Sequence, residues 1–239
     1  MITAEKGKRI IISADDFGIS KLANVKILDG IRKKVIDRVQ IMISDNLSED
    51  EIEDLKDSGV KLDIHLHLIR HDSDYWQGDR RLKEQAAKRL VAFGLNYLTG
   101  RKSSDKVSLQ WAIQIEKFRE LFGRNPDGIG SHEYIHFFPP YLAAVLDLAE
   151  KYDIGYIRIG EKGIGFENNI SRILDWLRRK NMSRHWKNRK LKTSDFMASF
   201  DWIGDWDSFI SGLPDNSETE VVFHPEREEE YSFIDKKLA

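Results

Sequence analysis

Short apolar runs alternate with longer segments of helical periodicity along most of this chain. Short continuous apolar runs predict buried strands, and apolar positions three and four residues apart predict amphipathic helices. Strands are predicted at residues 9–14, 39–43, 61–68, 127–132, 154–159, 192–194 and 220–223. Helices are predicted at residues 20–34, 48–59, 81–99, 105–123, 139–152, 168–190 and 205–211. Strand and helix thus alternate about seven times.

Several predicted helix ends carry local signals that support them. Ser48 and Glu51 form a capping box, in which each side chain bonds a backbone amide at the start of the helix. Gly59 suits the left-handed position at a helix end. Pro139 and Pro140 suit a first helical turn, where the missing amide hydrogen costs nothing.

The alternation of strand and helix predicts an α/β fold. A parallel sheet covered by helices follows from it, either closed as a barrel or open and doubly wound. The sequence has no repeat, low-complexity tract or linker, so residues 1–239 are expected to form a single domain. The basic run at 178–192 is interpreted as a solvated helix face or mobile loop rather than a nucleic-acid patch. The final segment, 226–239, is charged and expected to be peripheral.

Composition excludes several functional classes. Lys and Arg total 38 and Asp and Glu total 40, giving a net charge of −2, which offers no attraction for nucleic acid or an anionic membrane. The absence of cysteine excludes disulfides, thiolate metal sites and cysteine nucleophiles. No apolar stretch approaches the roughly 20 residues of a membrane helix, and no signal peptide is recognisable. A soluble, cytoplasmic protein is therefore expected.

Ionisable residues gather where the predicted strands end. Asp15 and Asp16 follow the first strand, His65 lies in the third, His132 ends the fourth and His224 follows the last. Because the carboxyl ends of parallel strands share one rim, these residues are expected to converge there. Further ionisable residues near strand ends are His67, His136, Arg158 and Asp195.

Each of these residues also has a plain structural interpretation. The sequence Asp-Asp-Phe-Gly from Asp15 suits an ordinary turn after a strand. His65 and His67 share one strand face, where they could bind a metal or simply form hydrogen bonds at a sheet edge. A lone histidine at a strand end, such as His224, is more often structural than catalytic.

The combination indicates chemistry more strongly than its parts. Two histidines and one carboxylate, here Asp16, His65 and His132, form a ligand set that leaves metal positions open for water and substrate. Such a metal lowers the pKa of bound water and polarises a carbonyl oxygen. Asp15 is then available as general base and His224 as general acid, which suits hydrolysis of an amide. The chain has no phosphate-binding glycine loop and no serine nucleophile elbow.

At these residues the chain resembles the YdjC-like carbohydrate deacetylase family, which includes chitooligosaccharide deacetylases. The matching segments are Ser-Ala-Asp-Asp-Phe-Gly at 13–18, Ile-His-Leu-His-Leu at 64–68, Ser-His-Glu-Tyr-Ile-His at 131–136 and Glu-Val-Val-Phe-His-Pro at 220–225. The resemblance implies a distorted (β/α) barrel, TIM-barrel-like, with one divalent metal ion on Asp16, His65 and His132. It also implies that Asp15 is the base, that His224 is catalytic or contacts substrate, and that N-acetyl groups are removed from a sugar. Family members often form homodimers.

The chain departs from the family pattern at a few positions. Asp63 and His67 stand where the family usually has Gly and Asn, and Gly130 and Tyr134 stand where it has Asp and His. Glu226 replaces the glycine of a His-Pro-Gly segment. These changes bear on substrate specificity more than on metal chemistry, although an Asp at 130 could have oriented a metal ligand.

The candidate substrate is a small carbohydrate, and three alternatives to the deacetylase remain open. The same site could hydrolyse another amide or a phosphoester, the chain could be a sugar-binding or regulatory homologue without turnover, or the histidines could be merely structural. The metal could be zinc, magnesium or another first-row divalent ion. The candidate substrate-contacting residues are His67, Tyr134, His136, Arg158 and Asp195, and Trp76 and Trp202 are further candidates for stacking on a sugar.

Overall fold

The computed structural model describes residues 2–3, 7–68, 104–139, 141–164, 169–186 and 189–238, and the helix predicted at 81–99 lies outside them. The strands are β1 (Ile2–Thr3), β2 (Arg9–Phe17), β3 (Arg38–Ile41), β4 (Lys61–Leu66), β5 (Gly128–Ser131), β6 (Tyr156–Ile157), β7 (Gly163–Ile164), β8 (Phe196–Ser199) and β9 (Glu218–Phe223). The helices are α1 (Lys21–Arg32), α2 (Glu49–Asp57), α3 (Ser104–Phe122), α4 (Tyr141–Lys151), α5 (Asn169–His185), α6 (Trp206–Gly212) and α7 (Glu228–Phe233).

The strands form one curled sheet in the order β6-β5-β4-β3-β2-β9-β8-β7, and the short β1 pairs antiparallel with β2. All other pairings are parallel. An isolated parallel bridge between Tyr156 and Lys192 links the two ends of the sheet, supported by a 2.9 Å hydrogen bond from the Ile157 amide to the Lys192 carbonyl. Counting β6 and β7 as one interrupted strand, the described residues form a distorted barrel of seven parallel strands. The predicted α/β barrel is confirmed.

Local signals place the helices as expected. The Ser20 hydroxyl caps α1 by accepting from the Ala23 amide, and both halves of the Ser48–Glu51 capping box are present at α2. One strand prediction is wrong, because the strand expected at 192–194 lies at Phe196–Ser199, where the apolar run is buried. No helix in the described part of the chain is long and apolar enough to cross a membrane.

The two faces of the strands have different chemistry. Residues Val39, Leu62, Ile64, Ile129 and Ile157 belong to the hydrophobic core, together with buried residues of the helices. The alternate residues of the same strands, with Arg158 directly after β6, line a polar interior. It holds the half-buried Tyr156 and the buried side chains of Arg38, Gln40, Asp63, His65 and Arg158. This alternation explains how a small barrel buries so many charged groups without exposing its apolar face to them.

Glycines at two positions of β5 make room for this polar interior. A Cβ atom at Gly128 would lie 2.9 Å from the Arg38 guanidinium, and one at Gly130 would lie 3.0 Å from the Arg158 guanidinium. Because the two glycines are two residues apart, they open the same face of the strand. The barrel therefore accommodates two arginine side chains in space that residues with a Cβ atom at these positions would fill.

Candidate metal centre

A bulge near the end of β2 brings two adjacent carboxylates to one side. The pairing with β3 joins Ala14 to Val39 and Phe17 to Ile41, so three steps on β2 face two steps on β3. Asp16 adopts a left-handed backbone conformation with φ of 70°. Adjacent side chains of a regular strand point to opposite faces, whereas here both Asp15 and Asp16 approach the same imidazole, that of His65.

Asp16 meets the two predicted histidine ligands at the carboxyl end of the barrel. Its Oδ1 atom lies 3.0 Å from His132 Nδ1 and 3.4 Å from His65 Nδ1. Ligand atoms of all three residues lie within 4.8 Å of one another, and the two imidazole rings meet edge to face. The structure thus brings together three side chains that lie on or directly after three different strands, the first and last of them 116 residues apart along the chain.

The protonation states of His65 and Asp16 fit a divalent metal. His65 is buried, and among the described residues neither of its ring nitrogens has a hydrogen-bond partner. Burial lowers the pKa of His65 to about 4, so its imidazole is neutral and able to coordinate a metal at neutral pH. Burial would raise the pKa of Asp16, but the nearby His132 outweighs it and holds this pKa well below its usual range. For His132, burial lowers the pKa, but Asp16 outweighs burial and raises it to about 9, so a metal ion would have to displace a proton from that ring.

The loop that carries His132 has a strained backbone and is held in place by hydrogen bonds that His136 makes. Residues Glu133 and Tyr134 both have φ near 55°, at 55° and 53°, inside the 3₁₀ turn His132–Phe137. His136 holds this turn, because its Nε2 lies 2.8 Å from the Arg158 carbonyl and its Nδ1 lies 2.5 Å from Ser131 Oγ. A carbonyl can only accept, so Nε2 carries the proton and Nδ1 accepts from the hydroxyl. His136 is fully buried and supports the His132 loop instead of joining the metal cluster.

The burial of His136 predicts that the protein loses stability at acid pH. Burial lowers its pKa to about 3, below the unfolded value of 6.5, so the unfolded chain binds more protons at intermediate pH. The stabilisation is complete above pH 6.5 and is lost as the pH falls towards 3. Between pH 7 and pH 5 we expect wild type to lose about 2 kcal/mol more unfolding free energy than His136→Gln, measured by urea denaturation. Equal losses in both proteins would contradict this assignment.

Asp15 is bound by Arg158, the residue that directly follows β6. Arg158 is fully buried and donates from Nη1 to Asp15 Oδ1 at 2.5 Å and from Nη2 to Oδ2 at 2.9 Å. Burial would raise the pKa of Asp15, but the arginine charge outweighs it and lowers this pKa. Behind Arg158, Glu220 lies 3.9 Å from Nη1 and accepts a hydrogen bond from the Tyr156 hydroxyl.

The space at Gly130 decides whether Arg158 can reach Asp15. A Cβ atom there would lie 2.5 Å from Gln40 Oε1, in addition to its close approach to Arg158. We therefore expect Gly130→Ala to cost about 1–3 kcal/mol of unfolding free energy through overpacking, and to lower any activity that needs Asp15. The matched variant is Gly155→Ala, because nothing lies within 4 Å of a Cβ atom at Gly155. Equal stability of the two variants in urea would contradict the prediction.

This packing also bears on the departure at position 130. An aspartate there, as in the family that the sequence resembles, would collide with Gln40 and Arg158 as they stand. The polar interior of this chain is therefore built around the glycine, and the two larger side chains occupy the space.

His224 follows β9 and lies close enough to the cluster to affect both aspartates electrostatically. Burial lowers the pKa of its imidazole, but the Glu230 carboxylate outweighs burial and raises it. His67 follows β4, and its backbone forms two hydrogen bonds with the Gln114 side chain. Burial lowers the pKa of His67 to about 4.

Other predicted site residues are not members of the ligand cluster. Asp195 precedes β8, so it lies at the amino end of the strands, where it accepts from the Glu218 amide and pairs with Lys162. Its prediction as a rim residue is wrong because the strand begins later than expected. The Tyr134 ring packs against Trp202 at 5.2 Å and against the Arg158 guanidinium at 5.6 Å. Trp76 lies outside the described residues.

The sequence interpretation missed Glu230, which was assigned to a peripheral charged segment. Glu230 is only 3% exposed and lies directly against His224. The single signal in the sequence was its spacing of three residues from Arg227 in a helical segment, and surface ion pairs give the same pattern.

Comparison with known proteins agrees with the motifs. A family model described as "YdjC-like protein" matches residues 9–237. A carbohydrate deacetylase of Clostridium beijerinckii is 29% identical over 164 residues, covering 66% of this chain and 62% of that protein. A chitooligosaccharide deacetylase of Escherichia fergusonii is 26% identical over 165 residues, covering 67% of this chain and 63% of that protein. The matches thus span less than two thirds of either relative.

A solved structure shares the fold. The crystal structure of a candidate cellobiose-phosphate cleavage protein from Enterococcus faecalis superposes with a TM-score of 0.62. It is 20% identical in sequence, and the match covers 92% of this chain and 81% of that one.

Proposed function

This chain belongs to the YdjC-like protein family, and we propose that it is a metal-dependent hydrolase that removes N-acetyl groups from an amino sugar or short chitooligosaccharide. The observation that carries the proposal is the convergence of Asp16, His65 and His132, whose ligand atoms lie within 4.8 Å of one another. Related proteins named carbohydrate deacetylase and chitooligosaccharide deacetylase support the choice of substrate.

Each group around the cluster has a role in amide hydrolysis. A divalent ion held by Asp16, His65 and His132 would lower the pKa of a bound water and polarise the acetamide carbonyl. Asp15 accepts the proton of the attacking water, and Arg158 keeps this carboxylate ionised at neutral pH. His224 donates a proton to the departing amine, so that water and amide become acetate and a free amino sugar.

The environment of each proton-transfer group matches its role. The bidentate contact with Arg158 fixes the Asp15 carboxylate in place, with its Oδ2 atom 3.7 Å from His65 Nε2. His224 has a raised pKa, as a proton donor requires, whereas the pKa of Asp15 is lowered, as a base that must be ionised requires. Two groups whose environments shift their pKa values in opposite directions are typical of an acid and base pair.

A single ligand cluster favours amide hydrolysis over phosphoester cleavage. Phosphoester hydrolases often use two metal ions about 3.5–4 Å apart. In the part of the chain that the structure describes, Asp16, His65 and His132 form the one group of metal-binding geometry.

The direct test is acetate release from the N-acetylglucosamine disaccharide and trisaccharide. Protein stripped with a chelator is supplied in turn with zinc, magnesium, manganese, cobalt or nickel. We expect equal amounts of acetate and free amine from the loaded protein, and none from the stripped protein. The absence of acetate with every ion would refute the proposal, and release of phosphate from a phosphoester would favour the alternative reaction.

A further inference from the structure

The segment after β9 folds back on its own histidine. His224 begins a turn in which its carbonyl accepts from the Arg227 amide at 2.9 Å, with Pro225 at the second position. Helix α7 begins immediately afterwards, and Glu230 lies in its first turn. Although three consecutive glutamates open this helix, Glu228 and Glu229 are exposed and Glu230 is buried. Burial of one carboxylate out of three requires specific partners.

Both oxygens of Glu230 have such partners. Oε2 accepts from the His224 amide at 2.6 Å and lies 3.4 Å from Nδ1 of the same residue. Oε1 accepts from Arg227 Nη1 at 2.7 Å. A carboxylate oxygen that contacts both the backbone and the ring of one residue restricts rotation of that ring, and the arginine keeps the carboxylate in position.

The turn is also fastened to the start of the chain. The Ser20 hydroxyl, which caps α1, donates to Glu226 Oε1 at 2.8 Å, and Lys26 donates to the Glu226 carbonyl at 3.3 Å. Helix α1 closely follows Asp16 in sequence. His224 is therefore held relative to the aspartates by contacts from α1 on one side and α7 on the other.

We propose that Glu230, seated by Arg227, is a positioning residue that orients the His224 ring with Nδ1 towards the carboxylate and Nε2 left to meet the substrate. This inference rests on the proposed function, in which His224 delivers a proton. The Nδ1 atom is buried and has no hydrogen-bond partner at normal distance in the described residues, so a small closure onto Glu230 would satisfy it.

The charges around His224 agree with this role. Glu230 and Asp16 favour the protonated ring, whereas burial and Arg227 oppose it, and the balance raises its pKa. A carboxylate behind an imidazole both fixes the ring and stabilises its charged form, which a proton donor needs.

The test compares Glu230→Gln with Glu229→Gln in the magnesium- or zinc-loaded protein. For Glu230→Gln we expect a fall in kcat of about 10–100-fold with KM changed less than twofold, since substrate contacts remain. The ring nitrogen signals of His224 in ¹⁵N nuclear magnetic resonance should shift, because Nδ1 loses its carboxylate. Glu230→Asp retains the charge and should recover part of kcat. Glu229→Gln should behave as wild type.

Controls separate positioning from folding. Thermal unfolding and metal affinity by calorimetry are measured for every variant, and Glu230→Asp serves if Glu230→Gln does not fold. Unchanged His224 signals, or a kcat loss matched by an equal loss of metal affinity, would overturn the proposal. If wild type releases no acetate from any sugar, the proposed function fails, and the His224 signals alone still decide the role of Glu230.

Discussion

Asp16→Asn is expected to weaken divalent metal binding at least about 100-fold and to reduce acetate release by at least the same factor, equivalent to about 2.7 kcal/mol. Asparagine is the matched substitution because it removes the charge and still tolerates the left-handed conformation that Asp16 adopts, with φ of 70°. Alanine would add backbone strain to the loss of a ligand and so confuse the two effects. Calorimetric titration of the stripped protein with zinc measures the affinity directly.

The same result is expected for His65→Ala, because His65 is the one ligand whose two nitrogens have no other partner among the described residues. Asp54→Asn and His185→Ala are the controls, since neither residue belongs to the ligand cluster and the two substitutions remove the same types of group. Affinity at the wild-type level in Asp16→Asn and His65→Ala would eliminate the metal site and with it the proposed reaction. Loss of affinity without any wild-type acetate release would retain the site and remove only the deacetylase.

The three candidate ligands could be predicted from sequence because strand ends in parallel α/β folds share a rim. Asp16 follows an apolar run, His65 lies within another and His132 ends a third, and the observed register places His65 beside Gly130, two residues before His132. What the pattern could not give is the bulge at Asp15 and Asp16. A left-handed aspartate is stabilised by tertiary contacts that leave no periodic signal.

Arg158 shows a second limit. An arginine near a strand end suggests a rim position open to substrate, whereas this side chain is completely buried against Asp15. A signal for its true position was present at Gly128 and Gly130, because two glycines on one face of a strand leave space for large neighbours. Reading that space requires knowing which strand is adjacent, and the sequence does not supply this pairing.

Asp195 and Glu230 were misplaced for different reasons. A strand boundary error of a few residues moved Asp195 from the carboxyl end to the amino end of the barrel, which reverses its access to the site. Glu230 was placed at the surface because charge runs are usually solvated, yet helix α7 turns this one carboxylate inward. In both cases the strand or helix boundary, which the sequence does not fix, determines where the side chain points.

Arg158→Met is expected to destabilise the fold by about 3–5 kcal/mol, because it leaves the Asp15 carboxylate buried without its cationic partner. Arg158 is fully buried and makes two hydrogen bonds to Asp15, at 2.5 and 2.9 Å, and Glu220 lies 3.9 Å away on its other side. Removing one member of a buried ion pair is strongly destabilising, because the remaining charge has neither its partner nor water around it. Replacing both members by apolar residues costs much less. Urea denaturation of the metal-free protein measures the effect without any assumption about activity.

Two further variants make the prediction specific to the pair. Arg32→Met removes an arginine that also pairs with an aspartate, Asp54, but at the surface with both side chains more than half exposed, and it should cost far less. Asp15→Asn combined with Arg158→Met should be more stable than Arg158→Met alone, because the unpaired charge is gone. If Arg158→Met costs no more than Arg32→Met, or if the second substitution destabilises the protein further, the Asp15–Arg158 pair does not hold the base in place. The position of Asp15 beside His65 would then have to come from the bulge in β2 alone.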